Sequence, residues 1–208
     1  MDFRSPIATV IPGARGEVLG ILAATTAPLT GRGIAELASG AVSQSGVSKA
    51  LAPLVASGLV TCERAGAANL YRLNRDHVAA DAVLSAARAH LELLDRIATT
   101  VDSWTPRPVA VWMFGSAARG RATPSSDVDI LIVRPDGIDD TDHPWDTNVL
   151  RLVDAVHRWS GNACECLEYS SSEFASLVKT GDPLIASLRR DGIVIAGGSP
   201  RELTTAEG

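Results

Sequence analysis

The 208-residue sequence contains few cysteines and histidines, and it has no long hydrophobic run. No apolar segment approaches the roughly 20 residues that span a bilayer, and the start Met1-Asp2 lacks the features of a signal peptide. The three cysteines (Cys62, Cys164 and Cys166) are an odd number, and neither they nor the four scattered histidines show zinc-site spacing. We therefore expect a cytoplasmic protein with buried free thiols, no zinc site and no membrane association.

Charge is distributed unevenly along the chain. Residues 1–75 contain seven Lys/Arg and four Asp/Glu, a balance of +3, whereas residues 76–208 contain twelve and twenty, a balance of −8. A mildly basic first part joined to an acidic second part favours two modules with different partners. The hydrophobic content of 46% is ordinary for a globular protein of this size.

The first module is predicted to contain three helices followed by a β-hairpin. Apolar residues at helical spacing, with Thr30 as a helix N-cap, predict helices near residues 17–24, 34–38 and 43–55. Pro53 lies inside the third helix and is expected to kink it. Two short β-prone segments, 58–64 and 70–73, flank a small glycine-containing turn and predict the hairpin.

The centre of the chain carries the most specific pattern. An apolar strand, 109–114, ends at Gly115-Ser116, and ten residues after the serine Asp127 and Asp129 open the next apolar strand. Because strand side chains alternate, the two carboxylates are expected to point the same way. Like charges held side by side repel each other, and oxygen ligands suit a hard divalent cation such as Mg²⁺ or Mn²⁺.

The Gly-Ser corner supplies groups that bind anions. Gly115 permits close approach to the backbone, and the following N–H groups are expected to begin a short helix, an arrangement that favours phosphate. Ser116 adds a hydroxyl, and Arg119 adds a planar cationic group that can bind the same phosphate.

Gly-Ser, ten residues and Asp-x-Asp resemble the signature of the DNA polymerase beta-like nucleotidyltransferases, in particular the minimal branch. The resemblance implies a mixed sheet flanked by helices and a Mg²⁺- or Mn²⁺-dependent transfer of a nucleoside monophosphate to a hydroxyl acceptor, with AMP from ATP expected. The family takes a third carboxylate, usually Asp, from a neighbouring strand, and Glu165 matches that position. Glu165 can also be a solvent-facing side chain, and Glu168 is expected on the opposite face.

The first module resembles the winged helix-turn-helix of bacterial transcription regulators, through the three helices, the hairpin and the run Ser-x-Ser-x-Val-Ser-Lys-x-Leu that starts at Ser43. The resemblance implies that the third helix enters the major groove of double-stranded DNA. The implied DNA contacts are Gln44, Ser45, Ser48, Lys49, Arg64 and Arg72. Winged helices also serve as protein-interaction modules, and that alternative stays open.

The whole chain is thus expected to be an α+β protein with four parts. These are a winged helix-turn-helix (1–75), a long linking helix (76–104), a nucleotidyltransferase domain (105–198) and a flexible tail (199–208). The linking helix carries an apolar stripe that either bridges the modules or forms a homodimer; the stripe is Ala80, Leu84, Ala87, Leu91, Leu94, Ala98 and Val101.

Later elements of the second module complete its predicted layout. A helix from 145 to 160 is expected to bury Val149, Leu150, Leu152, Val153, Val156 and Trp159, and the acidic loop of Asp136, Asp139, Asp140 and Asp142 is expected to be solvated. The acceptor is a protein hydroxyl, a small molecule or a nucleic-acid end. The alternative to an enzyme is a transcription regulator or an antitoxin with a toxin partner, in which the nucleotidyltransferase fold only binds nucleotide.

Overall fold

The computed structural model describes residues 1–138, 143–199 and 202, and the chain divides into two compact units. The N-terminal unit comprises Asp2 and residues 4–90, and the C-terminal unit comprises Met1, Phe3 and the described residues from Leu91 onward. Asp139, Asp140 and Asp142 of the acidic loop, and most of the predicted tail, lie outside the described residues. Among the described helices, none is long and apolar enough to cross a membrane.

The N-terminal unit contains helices packed with a small antiparallel sheet. A short 3-10 helix (Pro6–Thr9) comes first, and the other elements are α1 (Ala14–Ala23), β1 (Leu29–Thr30), α2 (Gly31–Leu37), α3 (Gln44–Ala56), β2 (Val60–Ala65), β3 (Ala68–Leu73) and α4 (Ala80–Ala87). The strand order is β1-β3-β2, and both pairings are antiparallel. The predicted three helices and hairpin are therefore present.

Two side-chain caps fix where α2 and α3 begin. The Thr30 hydroxyl accepts a hydrogen bond from the Gly33 amide at 3.0 Å, and the Ser43 hydroxyl accepts one from the Gly46 amide at 3.2 Å. Each cap satisfies a donor that the first helical turn leaves without an intrahelical partner. The core of this unit is formed by residues from every helix, among them Val18, Leu22, Ile34, Val47, Leu51 and Val83.

The prediction of one long helix over residues 76–104 was wrong. Residues 76–79 form turns, and the helical region divides at Arg88 into α4 and α5 (Ala89–Asp102). Arg88 leaves helical geometry with φ −102° and ψ 13°. The buried positions of α5 are Leu93, Ile97 and Val101, whereas Leu91 of the predicted stripe is 46% exposed. The break shifts the buried face, so a stripe drawn through one continuous helix includes the buried Ala80 and Val101 but misses Val83, Leu93 and Ile97.

The C-terminal unit is an α/β layer structure. After α5 its elements are β4 (Ala110–Phe114), α6 (Gly115–Ala118), β5 (Val128–Arg134), α7 (His143–Ser160), β6 (Cys164–Ser170), α8 (Ser171–Thr180), α9 (Pro183–Asp191) and β7 (Ile193–Gly197). The strand order is β6-β5-β4-β7, with β5 and β6 parallel and the other pairs antiparallel. This is the mixed sheet with flanking helices that the sequence predicted.

The two faces of the four-stranded sheet bury different sets of side chains. Val111, Met113, Val128, Ile130 and Ile132 pack with residues of α5 and α7, including Ile97, Trp145 and Leu152. Ala110, Trp112, Leu131 and Val133 pack with Phe174 of α8 and with Ile185 and Leu188 of α9. The predicted burial of Leu150 on α7 was wrong, since Leu150 is 58% exposed and Ala155 is buried instead.

Gly197 closes β7 against β4 in a conformation that only glycine tolerates. Its φ is +75°, and a β-carbon there would overlap the carbonyl oxygen of Val109. Gly197 pairs with Ala110, and the next residue, Gly198, accepts a hydrogen bond from the Trp112 indole at 2.9 Å. Gly197 and Gly198 therefore attach the edge strand β7 to the buried residues of β4.

We expect Gly197→Ala to lower the free energy of unfolding of the C-terminal unit by about 2–3 kcal/mol, because it combines backbone strain with a steric overlap. Gly181→Ala is the matched control: Gly181 also has positive φ but has open space around it, so only the strain of about 1 kcal/mol applies. All four tryptophans lie in the C-terminal unit, so their fluorescence during urea unfolding reports on it. Equal decreases in the free energy of unfolding of Gly197→Ala and Gly181→Ala would contradict the steric overlap at Gly197.

Candidate functional site

Strand register brings the predicted motif residues together in the C-terminal unit. Asp129 on β5 lies opposite Phe114 on β4, and on its other side it lies opposite Glu165 on β6. Gly115 and Ser116 directly follow Phe114, at the end of β4. The row from Phe114 through Asp129 to Glu165 thus places the Gly-Ser corner and two carboxylates at one end of the sheet.

Gly115 is required by the carboxylate beside it. Its φ is +68°, and a β-carbon would overlap Oδ2 of Asp129. The Gly115 backbone therefore packs directly on this carboxylate, and a larger side chain would be strained at this φ and would displace the carboxylate. Ser116 is half-buried in α6, and its carbonyl oxygen accepts a hydrogen bond from the Arg121 amide at 2.9 Å. The predicted short helix after the corner is present.

The two aspartates occupy different environments. Asp127 is exposed and precedes β5 by one residue, so the prediction that both aspartates lie within the strand was wrong for Asp127. Asp129 is half-buried inside the strand. Burial raises the pKa of Asp129, the charges of Glu165 and Asp127 raise it further, and the charge of Arg119 lowers it in part. Asp129 therefore interacts with all three predicted charged neighbours.

Glu165 and Glu168 lie on opposite faces of β6, as the alternation predicts. Glu165 is exposed and opposite Asp129. Glu168 accepts a 2.6 Å hydrogen bond from the indole of Trp145, a residue of α7. Glu168 thus belongs to the face covered by α5 and α7, and Glu165 belongs to the face that carries Asp129.

Arg119 has a partner that the sequence did not reveal. Its Nη1 lies 3.2 Å from Oδ2 of Asp191 at the end of α9, and Asp191 also receives a 3.0 Å hydrogen bond from Nε of Arg190. Burial acts to raise the pKa of Asp191, but the hydrogen bonds from Arg190 and Arg119 outweigh it and leave the pKa lowered. No local signal marks Asp191, because 72 residues separate it from Arg119.

One known protein family matches the region that contains these residues. A family model described as "Nucleotidyltransferase domain" matches residues 94–164, from within α5 to the first residue of β6. No protein with curated annotation and no solved structure matches the chain significantly. The predicted resemblance is confirmed for this region, and the winged-helix resemblance stays a prediction.

The nucleotidyltransferase match covers most of the predicted site. It contains Gly115, Ser116, Arg119, Asp127 and Asp129, and it ends one residue before Glu165. The match therefore supports a transferase that uses a nucleotide substrate. The assignment of Glu165 depends on the strand register alone.

The carboxylates of the candidate site suit a divalent cation by their chemistry. The candidate ligands are hard anionic oxygens, and the pKa of Asp129 is raised first by burial and then by the charges of Glu165 and Asp127, so a bound cation would stabilise its ionised form. Across residues 1–138, 143–199 and 202, no group of three or more His, Cys, Asp or Glu side chains is arranged to hold a metal. The charge interaction and the absence of a three-ligand group agree if the carboxylates act on one another through their charges but do not together form one set of metal ligands.

The cysteines do not share the face of the candidate carboxylates: Cys164 and Cys166 flank Glu165 on β6 but pack against the core formed with α5 and α7, and Cys62 belongs to the N-terminal unit. Cys62 is exposed on β2, which contradicts its predicted burial, whereas Cys164 and Cys166 are half-buried on β6. A hydrogen bond with Cys164, together with burial, raises the pKa of the Cys166 thiol, so this thiol is protonated at neutral pH. All three cysteines are free.

The residues predicted to contact DNA are all exposed on the N-terminal unit. Gln44, Ser45, Ser48 and Lys49 occupy the first half of α3, and Arg64 and Arg72 lie on the hairpin. Arg72 is paired with Glu63 at 3.4 Å, and Nε of Arg64 donates to the Gly66 carbonyl at 3.4 Å. Gln44 and Ser48 line a groove with Arg32, Asn69 and Tyr71.

In metal-free buffer, we expect Glu165→Gln to lower the pKa of Asp129, because it removes a negative charge that raises that pKa. Glu168→Gln is the matched control, since it makes the same change on the opposite face of β6 and should leave the pKa of Asp129 unchanged. Carboxyl ¹³C chemical shifts followed through a pH titration measure both. Equal effects of the two substitutions would contradict the placement of Glu165.

Proposed function

We propose that the C-terminal unit transfers a nucleoside monophosphate, AMP from ATP, to a hydroxyl acceptor. The observation that carries this proposal is the packing of the Gly115 backbone against Asp129, within a region that matches the nucleotidyltransferase family. This packing puts a candidate phosphate-binding corner directly beside a candidate metal-binding carboxylate. A nucleoside triphosphate needs both functions close together.

In this proposal the Gly-Ser corner and Arg119 bind the β- and γ-phosphates. The Ser116 hydroxyl and the neighbouring backbone N–H groups donate hydrogen bonds to phosphate oxygens. Arg119 contributes positive charge close enough to Asp129 to affect its pKa, which supports a role at the same site. Asp191 holds one edge of the Arg119 guanidinium, so the remaining donors of Arg119 can face a ligand.

Asp127 and Asp129 would hold Mg²⁺ or Mn²⁺, and the predicted third ligand, Glu165, would add to the attraction of the cation through its charge, which acts on Asp129. When bound, such an ion supplies charge neutralisation for the triphosphate and for the departing pyrophosphate. The half-buried position of Asp129 gives its carboxylate a stronger electrostatic interaction than the exposed Asp127 has. The two aspartates are therefore expected to differ in how much each contributes to binding.

The proposed reaction is an in-line displacement at the α-phosphorus. A bond forms from the acceptor oxygen to the α-phosphorus, and the bond from that phosphorus to the bridging oxygen breaks, which releases pyrophosphate. The acceptor hydroxyl loses its proton to solvent. The protein contributes positioning and charge neutralisation, so catalysis depends on the geometry of the site. The acceptor is a protein hydroxyl, a small molecule or a nucleic-acid end.

We expect the Asp127→Asn, Asp129→Asn double variant to lower nucleotide transfer by more than about 100-fold, because it removes the electrostatic stabilisation of the transferring phosphate. The assay incubates purified protein, with and without cell lysate, with Mg²⁺ and each α-labelled nucleoside triphosphate. Glu168→Gln, which alters a carboxylate on the other face of β6, is the control and should retain transfer.

Full transfer by the double variant would contradict the proposed roles of the two aspartates. If wild-type protein transfers no label in any mixture yet binds ATP, the enzyme proposal fails. The protein would then be a regulator that only senses nucleotide.

We also propose that the N-terminal unit binds double-stranded DNA through α3. The supporting observation is the division of α3 into two faces: Val47, Ala50, Leu51 and Leu54 are buried, whereas Gln44, Ser45, Ser48 and Lys49 are exposed. This helix is therefore anchored by one face and offers hydrogen-bonding groups and one cation on the other. Such a helix suits insertion into a major groove.

We expect Lys49→Ala to weaken binding to a random-sequence 30-base-pair duplex and to reduce the slope of log K against log salt by about one, because one phosphate contact is lost. Arg15→Ala removes the same charge from an exposed position on α1 and serves as the control. Fluorescence anisotropy at several salt concentrations measures both variants. Identical slopes for the two variants would contradict a specific role for Lys49.

A further inference from the structure

Asn162 is a buried polar residue whose side-chain amide donates two hydrogen bonds to the loop that precedes Asp127. It lies between α7 and β6 and is 1% exposed. Its Nδ2 donates to the carbonyl oxygens of Thr123 and Ser126, both at 2.9 Å. Asparagine is suited to this role because one NH₂ group can donate two hydrogen bonds at once. The sequence alone does not reveal this role of Asn162, because an asparagine after Gly161 is typical of an ordinary turn.

The loop that carries Asp127 is held on both sides of that residue. Asn162 binds the carbonyl of Ser126, and the carbonyl of Ala163 accepts a 2.8 Å hydrogen bond from the Val128 amide. Two consecutive residues thus hold the residues immediately before and after Asp127. We call this pair, Asn162 and Ala163, the Asp127 clamp.

Internal hydrogen bonds make the clamped loop a defined turn. The Thr123 amide donates to Oγ of Ser126 at 3.0 Å, and the Ser126 amide donates to the Thr123 carbonyl at 2.9 Å. Asn162 therefore binds a preformed unit at two carbonyl oxygens. Loss of the Asn162 amide would remove the buried donor to the Ser126 carbonyl, whereas the Thr123 carbonyl would keep its hydrogen bond from the Ser126 amide.

Asp127 needs such a restraint because its negative charge is repelled by the negative charge of Asp129 when both carboxylates are ionised. It is exposed, it stands outside the strand, and its charge is among those that raise the pKa of Asp129. Repulsion between like charges opposes bringing two carboxylates close together. The clamp holds the backbone on both sides of Asp127 and bonds to backbone groups of the loop, not to either carboxylate.

We propose that Asn162 is a positioning residue that holds Asp127 beside Asp129 and so sets the affinity of this site for a divalent cation. The proposal rests on the proposed function, in which the two aspartates hold that cation. Asn162 contacts neither carboxylate, so its effect passes through residues 123–128. Residues that orient ligands indirectly commonly affect metal affinity by tenfold or more.

The test measures Mn²⁺ binding to full-length protein by electron paramagnetic resonance, with no turnover required. We expect Asn162→Ala and Asn162→Asp to raise the Kd for Mn²⁺ by about tenfold. Asn162→Ala is the sharper variant, because Asn162→Asp removes the donor but also places a new negative charge beside the Met1 ammonium, which Oδ1 of Asn162 binds at 2.6 Å. Val149→Ala, a core truncation on α7, is the control for general destabilisation and should stay within about twofold of wild type.

Tryptophan fluorescence confirms that each variant is folded at the temperature of the assay. If the Ala and Asp variants do not fold, Asn162→Ser tests the same loss with a smaller change, and we expect its Kd to rise as well. Hydrogen–deuterium exchange of residues 121–128 gives a second readout, and faster exchange is expected in every Asn162 variant.

The outcomes separate this inference from the proposed function. Suppose that wild-type protein binds Mn²⁺ and that the Asp127→Asn, Asp129→Asn variant does not. If the Asn162 variants then bind Mn²⁺ as wild type does, the proposed role of Asn162 is wrong and the proposed function stands. If wild-type protein binds no Mn²⁺ even with ATP present, both are wrong. If Val149→Ala weakens Mn²⁺ binding as much as Asn162→Ala does, the role of Asn162 is only structural.

Discussion

The register between β4, β5 and β6 determines where each charged group of the candidate site lies. Val128, Ile130 and Ile132 must face the core formed with α5 and α7. Because side chains alternate, this burial turns Asp129 to the other face, where Phe114 and Glu165 are its strand neighbours. A slip of one residue would bury the carboxylate among apolar side chains. Hydrophobic packing of β5 thus determines where the charged groups of the candidate site lie.

This placement carries an electrostatic cost that the fold has to offset. The pKa of Asp129 is raised above its ordinary value of 3.8, so its ionised form is disfavoured in the folded protein. The corresponding stability is complete below pH 3.8 and is lost as the pH rises through the raised folded-state pKa. At neutral pH the ionised carboxylate therefore opposes folding, and the buried residues of β5 compensate. A site that binds a cation has a use for this concentration of negative charge.

Much of the site could be predicted because its signals are local. The Gly-Ser corner, the spacing to Asp127 and Asp129, and the opposite faces of Glu165 and Glu168 follow from strand alternation and short-range sequence. The pairing of Arg119 with Asp191 could not be predicted, because tertiary packing of α9 brings these distant residues together. Asn162 was missed for the same reason, since its partners lie 36 and 39 residues away.

The fold shows the same division between local and tertiary information. The two caps, Thr30 and Ser43, act within three residues of their partners and are readable from sequence. The interruption at Arg88 has no proline or glycine to mark it, so helical propensity alone continues the helix through it. The exposure of Leu150 likewise depends on which parts of α7 the sheet covers.

A crystal structure with Mn²⁺ and a non-hydrolysable ATP analogue tests the proposed site most directly. We expect an anomalous peak bound by Asp127 and Asp129, with the β- and γ-phosphates at Gly115 and Ser116 and within reach of Arg119. A nucleotide bound elsewhere, or Mn²⁺ bound without either aspartate, would contradict it.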